Sequence, residues 1–123
     1  MAVVPDFLIK RVYQKGSLKK TDEGVSLQLK NVLGPGVISG FNFVMVNDVR
    51  FEPKDVKFVH EGKEYRGDII SETNPISFRL GQTGTITLCG KECLTEGLNK
   101  IIIEIVNPEV GKAQLKVEDN YTA

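Results

Sequence analysis

Apolar and polar residues alternate with a period of two in one segment of this chain after another, and no helical period persists for more than about two turns. Val25, Leu27 and Leu29 interleave with Ser26, Gln28 and Lys30, which gives a strand one apolar and one polar face. The same alternation recurs at Ile76, Phe78 and Leu80, at Ile86 and Leu88 between Thr85, Thr87 and Cys89, and at Ala113, Leu115 and Val117. Leu98 to Val106 is isoleucine-rich and suits a strand covered on both faces. Phe7 to Tyr13 is apolar on both parities and is also read as extended chain. Between these segments fall Asp22-Glu23-Gly24, Gly34-Pro35-Gly36, Pro53-Lys54-Asp55, Glu61-Gly62 and Asn107-Pro108-Glu109. Each combines residues that withhold a backbone donor, open positive φ or bond their own backbone, so each predicts a turn. Roughly eight to ten short strands then predict an all-β protein, an antiparallel two-sheet β-sandwich, with a partly open β-barrel as the alternative. One domain over residues 1–123 accommodates them, with the tail Asp119 to Ala123 expected to fray.

Gly24 to Phe51 is the most legible stretch. Asn47-Asp48 lies between Val46 and Val49 as a two-residue hairpin loop, because both residue types tolerate left-handed backbone. That loop sets Val46 opposite Val49 and Val44 opposite Phe51 on one side of the sheet, leaving Phe41, Phe43 and Met45 on the other beside Arg50. Two readings follow. Either the strand is central, or bulged near Gly40 to Asn42 so that the phenylalanines turn inward, or Phe41, Phe43 and Met45 form an exposed patch where a protein partner binds.

Charge narrows the partners. Lys and Arg number 16 and so do Asp and Glu, so no net field is available to hold nucleic acid or an anionic membrane face. No apolar run approaches the roughly 20 residues of a membrane span, and Met1 to Arg11 lacks the layout of a secretory signal, so a cytoplasmic location is expected.

Little in the chain points to chemistry. His60 is the only histidine, at a strand end beside the Glu61-Gly62 turn, where it is expected to face solvent, and nothing in the sequence orients it as a general base. Cys89 and Cys93 are too few for a zinc site. In extended chain their α-carbons would stand about 13 Å apart against the roughly 7 Å a disulfide allows. A turn at Gly90 would be needed to bridge them, so free thiols and a disulfide both stay open. Carboxylates are scattered among turns, no phosphate-cradling glycine motif can be written over the chain, and no catalytic residue, metal or cofactor is expected. The lack of Trp and the wide spacing of Tyr13, Tyr65 and Tyr121 argue against a sugar-stacking platform.

The segment GSLKKTDEGVSLQLKNVLGPGVISGFNFVMVNDVRFEP from Gly16, then DVKFVHEGKEYRGDI and LTEGLNKIIIEI, resembles the small β subunit of bacterial C-glycoside deglycosidases and its relatives. The likeness rests on Ser17-Leu18 before the strand at Gly24 to Leu29, the Asn31 to Pro35 corner, the Asn47-Asp48 hairpin, and Leu94 to Leu98 ahead of the last long strand. It implies a β-sandwich that supports a larger, barrel-type catalytic partner holding the metal and the acid/base residues. Two functions are thereby expected as alternatives. One is a non-catalytic subunit or interaction module, bound to a larger catalytic protein or to copies of itself. The other is a stand-alone small-molecule-binding or carbohydrate-binding domain, or an enzyme with an unrecognised site.

Overall fold

The computed structural model describes residues 8, 10–33, 36–109 and 111–122, and within them the chain is built from eleven strands and two short 3-10 turns. In order these strands are β1 (Lys19–Lys20), β2 (Gly24–Lys30), β3 (Val37–Ile38), β4 (Gly40–Val46), β5 (Val49–Phe51) and β6 (Val56–His60). They continue with β7 (Lys63–Arg66), β8 (Ile76–Ser77), β9 (Thr83–Cys89), β10 (Gly97–Asn107) and β11 (Gly111–Tyr121). One sheet runs β1-β2-β9-β6-β7, a second β11-β10-β4-β5, and β3 with β8 forms a small third ladder. All pairings are antiparallel and the sheets do not close into a barrel, so the sandwich is the architecture and the barrel alternative falls away. Among the described residues no helix is long and apolar enough to cross a membrane.

The core lies between the two large sheets. From the first come Val25, Leu27, Leu29, Val56, Phe58, Ile86 and Leu88, and from the second Phe41, Val44, Val46, Phe51, Ile101, Ile103 and Leu115. Period-two alternation delivers these side chains to one face of each strand, and their burial is the main stabilising term. Around Phe58 the rings of Phe41, Phe78 and His60 gather with centroids 5.6, 5.7 and 5.9 Å away.

The Asn47-Asp48 loop forms as the residue types predict, with φ of 50° and 70°, and it sets Val46 opposite Val49 and Val44 opposite Phe51. Further back along β4 the ladder to β10 slips: Phe43 faces Glu104 but Phe41 faces Ile105, which leaves Asn42 as an extra, bulged residue. A one-residue slip exchanges the two faces, so Phe41 turns into the core, 3 % exposed, while Phe43 and Met45 stay on the outer face half-buried. The Asn42 amide donates to Glu104 Oε2 at 2.8 Å, which fixes the bulged side chain outward.

Three segments depart from the alternation pattern. Tyr13 forms one bridge to Leu29, but Lys10–Val12 is a 3-10 turn, and Phe7 and Ile9 lie outside the described residues. The strand expected to carry Ile76, Phe78 and Leu80 stops at Ser77; Ile76 and Phe78 are buried whereas Leu80 is 62 % exposed. The end of the chain, expected to fray from Asp119, is paired with β10 through Tyr121, while Ala123 lies outside the described residues.

What fastens that end is a buried polar contact. The Tyr13 hydroxyl donates to Asp119 Oδ2 at 2.5 Å, and the Gly16 N–H donates to the same oxygen at 2.8 Å. Burial first, and the bond to Asp119 second, push the Tyr13 hydroxyl well above its usual value of 10.0. A raised folded-state value means that the contribution is intact below the unfolded tyrosine value and is lost as pH rises above it. The native protein should therefore lose melting temperature as pH rises above about 10, and Tyr13→Phe should be about 1 kcal/mol less stable near neutrality yet show a flatter alkaline limb. Equal alkaline slopes for the two proteins would remove Tyr13 as the cause.

Candidate functional site

A concave surface lies at one end of the sandwich, where the β2–β3 corner, the chain after β8 and the β10–β11 turn converge. A half-open cleft of about 560 Å³ is lined there by Gly36, Val37, Ser77, Arg79, Leu80, Asn107, Pro108 and Glu109.

Side-chain amides tie the loops together beside the short β3–β8 ladder, meeting backbone groups that the ladder does not reach. Asn31 is buried, donates from Nδ2 to the Phe78 carbonyl at 2.6 Å and accepts from Leu33 N–H at 3.0 Å; the short side chain closes a local turn with its oxygen while its nitrogen reaches the other loop. Backbone bonds from Asn31 N–H to Gln82 O and from Gly81 N–H to Asn31 O draw the two loops side by side. On the opposite wall, Asn107 Nδ2 donates to Val37 O at 2.9 Å while its Oδ1 accepts from Glu109 N–H at 2.8 Å.

His60 supports this end from beneath. It is 6 % exposed, contrary to the solvent-facing position expected of it, because the strand β6 carries Val56, Phe58 and His60 inward together. Gln82 Oε1 accepts from Arg79 N–H at 2.7 Å and stands 2.9 Å from His60 Nε2; an amide oxygen cannot donate, so Nε2 is the donor in that pair. Gln82 Nε2 donates in turn to the Glu61 carboxylate. The histidine ring stands edge-on to Phe78 and stacks on Phe58, so it braces the Arg79–Gln82 loop rather than presenting itself to solvent.

Around the cleft, the loop pairing brings Val32 and Leu33 alongside Leu80, and these three are 41, 43 and 62 % exposed. Leu80 in the lining of a cleft that carries one Arg and one Glu, with exposed Val32 and Leu33 on the loop paired beside it, makes a surface suited to binding an apolar ligand or a loop of another protein. Sequence reasoning missed this group because Leu80 fits the alternation of a strand and Val32-Leu33 falls in a loop, where period carries no information.

The residues singled out from the sequence are not brought together here. Phe41 is core, which removes it from the expected partner patch. Phe43 and Met45 share the outer face of the second sheet, with the Arg50 guanidinium 4.3 Å from the Phe43 ring centroid. Cys89 and Cys93 are free thiols, the first half-buried and the second buried. Burial pushes the Cys93 thiol up to about 11 and raises Cys89 as well, so neither is a thiolate near neutrality. Among the described residues no group of three or more His, Cys, Asp or Glu could hold a metal ion.

In a comparison with protein families, the model described as hydroxymethylglutaryl-CoA reductase, N-terminal domain, matches residues 8–122. This overturns the resemblance to the C-glycoside deglycosidase small subunit. The features that carried that likeness, a glycine turn before an alternating strand and an Asn-Asp hairpin, recur wherever antiparallel strands are joined by tight turns, so they report scaffold and not lineage. No curated protein matches the chain.

Proposed function

The chain belongs to the hydroxymethylglutaryl-CoA reductase N-terminal domain family, and from that premise we propose that it is a non-catalytic docking domain that packs against a larger catalytic body through the cleft end of its sandwich. The observation that carries this reading is exposed Leu80 in the cleft lining, with exposed Val32 and Leu33 on the neighbouring loop that Asn31 pairs to Gly81 and Gln82. Large apolar side chains left in water at one place cost free energy that a partner surface recovers, and the Arg79 and Glu109 charges on the lining would fix the orientation of whatever docks. The family's name supports the choice of partner, since it describes a domain at the N-terminal side of an enzyme.

Leu80→Asp and Leu33→Asp test it. Both positions are exposed, so each variant should melt within about 2 °C of the native protein. Each should nevertheless abolish recovery of a reductase-type enzyme when the tagged chain is purified from its own cells and the bound protein is identified by mass. A native chain that recovers no such enzyme, and that alone binds or turns over a small molecule in the cleft, would overturn the proposal in favour of a stand-alone binding domain.

A further inference from the structure

The two large sheets have four edges between them, and three are blunted by length: β1 has two residues, β5 three and β7 four. Short edge strands offer little template for a further strand. The fourth edge is β11, eleven residues paired to β10 from Gly111 to Tyr121 in unbroken register, with no proline.

Which of its backbone groups face outward follows from its neighbours. Lys100 accepts from Asn47 N–H at 3.0 Å and donates to Asn47 Oδ1 at 2.9 Å, and the Val106 carbonyl accepts from Ser39 N–H at 2.8 Å. Even-numbered residues of β10 therefore point toward β4, and odd-numbered ones toward β11. Their β11 partners are odd-numbered too, so the outward N–H and C=O groups of β11 are those of Lys112, Gln114, Lys116, Glu118 and Asn120. Asp119 Oδ1 already accepts from Asn120 N–H at 2.9 Å, which closes the C-terminal end and leaves four residues open.

These four read as a self-complementary set. With Leu115 opposite Leu115 of a second copy, Lys112 faces Glu118 and Gln114 faces Lys116, and symmetry repeats both pairs. Each pair joins two residues whose backbone groups point outward, so every one can exchange two N–H···O bonds. Shifting the centre to Gln114 or to Lys116 keeps the backbone bonds but sets lysine against lysine. On the inner face the chosen register lays Ala113 beside Val117 of the other copy. Both are half-exposed in the single chain, flanking the buried Leu115.

We propose that β11 is the contact strand of a two-fold symmetric dimer of this chain, an antiparallel pairing centred on Leu115 that joins the two four-stranded sheets into one. The interface is isologous and uses the outer edge of β11, none of whose residues lines the cleft, so its test is distinct from that of the docking role.

Sedimentation of the full chain over a concentration series decides it. The native chain should reversibly form a dimer and nothing larger. Glu118→Lys places like charges opposite each other at both ends of the pairing and should weaken the dimer at least about tenfold. Lys112→Glu combined with Glu118→Lys should return it to within about threefold of native. Gln114→Pro removes an outward N–H that β10 does not use and should give monomer with an unchanged circular dichroism spectrum. Should that variant fail to fold, the charge pair carries the test alone. A chain that stays monomeric throughout, a native-strength dimer in Glu118→Lys, or a double exchange no better than the single one would each overturn the pairing.

Discussion

Gly84→Ala is expected to destabilise the protein by about 3 kcal/mol, although alanine is ordinarily the better strand residue. A Cβ at this position would stand 2.2 Å from Phe58 Cζ and 2.4 Å from Cε1. The Phe58 ring occupies the space that a side chain on β9 would fill, and it cannot retreat, because Phe41, Phe78 and His60 surround it. Gly84 sits between Leu29 on β2 and His60 on β6, in the centre of the five-stranded sheet, so the backbone is no freer to move than the ring. Close-packed interiors convert such an overlap into off-rotamer side chains and displaced strands. The clash should be relieved by shrinking the ring: Phe58→Leu combined with Gly84→Ala should be at least about 1 kcal/mol more stable than the two separate losses predict. Denaturant titration of the four proteins measures this coupling. Strict additivity would mean that Gly84 is not there to admit the ring.

Asn99→Leu should cost about 3 kcal/mol, or roughly 10 °C in melting temperature, despite replacing a buried polar side chain with an apolar one of similar size. Asn99 is fully buried. Its Oδ1 accepts from Asn47 Nδ2 at 2.6 Å and from Thr95 N–H at 2.8 Å, while its Nδ2 donates to the Thr95 and Gly97 carbonyls, each at 2.9 Å. Asn47, in turn, donates to Cys93 O and holds Lys100 N–H, so one amide pair ties the loop before β10 to the β4–β5 turn. Leucine would leave those donors and acceptors buried without partners, and that desolvation cost outweighs any gain in apolar burial. Hydrogen exchange should quicken at Thr95 in the variant. A melting temperature within about 2 °C of native would show that water replaces the lost bonds without penalty.

The two cases mark where legibility ends. Leu27, Ile86 and Ile103 reach the core because alternation is a local property of a strand, and the Asn47-Asp48 turn forms because those residues tolerate positive φ wherever they occur. Gly84, by contrast, falls in a Gly-rich stretch that reads as loop, yet β9 begins at Thr83 and Gly84 is an inner-face position kept empty for a ring 26 places earlier in the chain. His60 reads as a turn residue because its neighbours are Glu61 and Gly62, and only the parity of β6 packed against the second sheet places it inside. Phe41 reads either way in the sequence, because a bulge such as that at Asn42 depends on how two strands meet and not on either alone. The cleft is less legible still. Its residues come from three separate stretches, Gly36-Val37, Ser77 to Leu80 and Asn107 to Glu109, and they converge because Asn31 and Asn107 satisfy loop backbone across the chain.

By itself, the sequence determined that this protein is built from short strands joined by tight turns, which residues make most of the apolar faces, and where the tight hairpins fall. Those follow from two-residue periodicity and from the backbone preferences of single residues, which act over a few positions. Only the tertiary structure decided that the strands form two open sheets and no barrel, which face Phe41 takes, why Gly84 lacks a side chain, how the Val32-Leu33 loop comes to lie beside Leu80, and which backbone groups of β11 are left open. Each of these depends on groups brought together from distant parts of the chain, whose contact energies exist only once the sheets are in place.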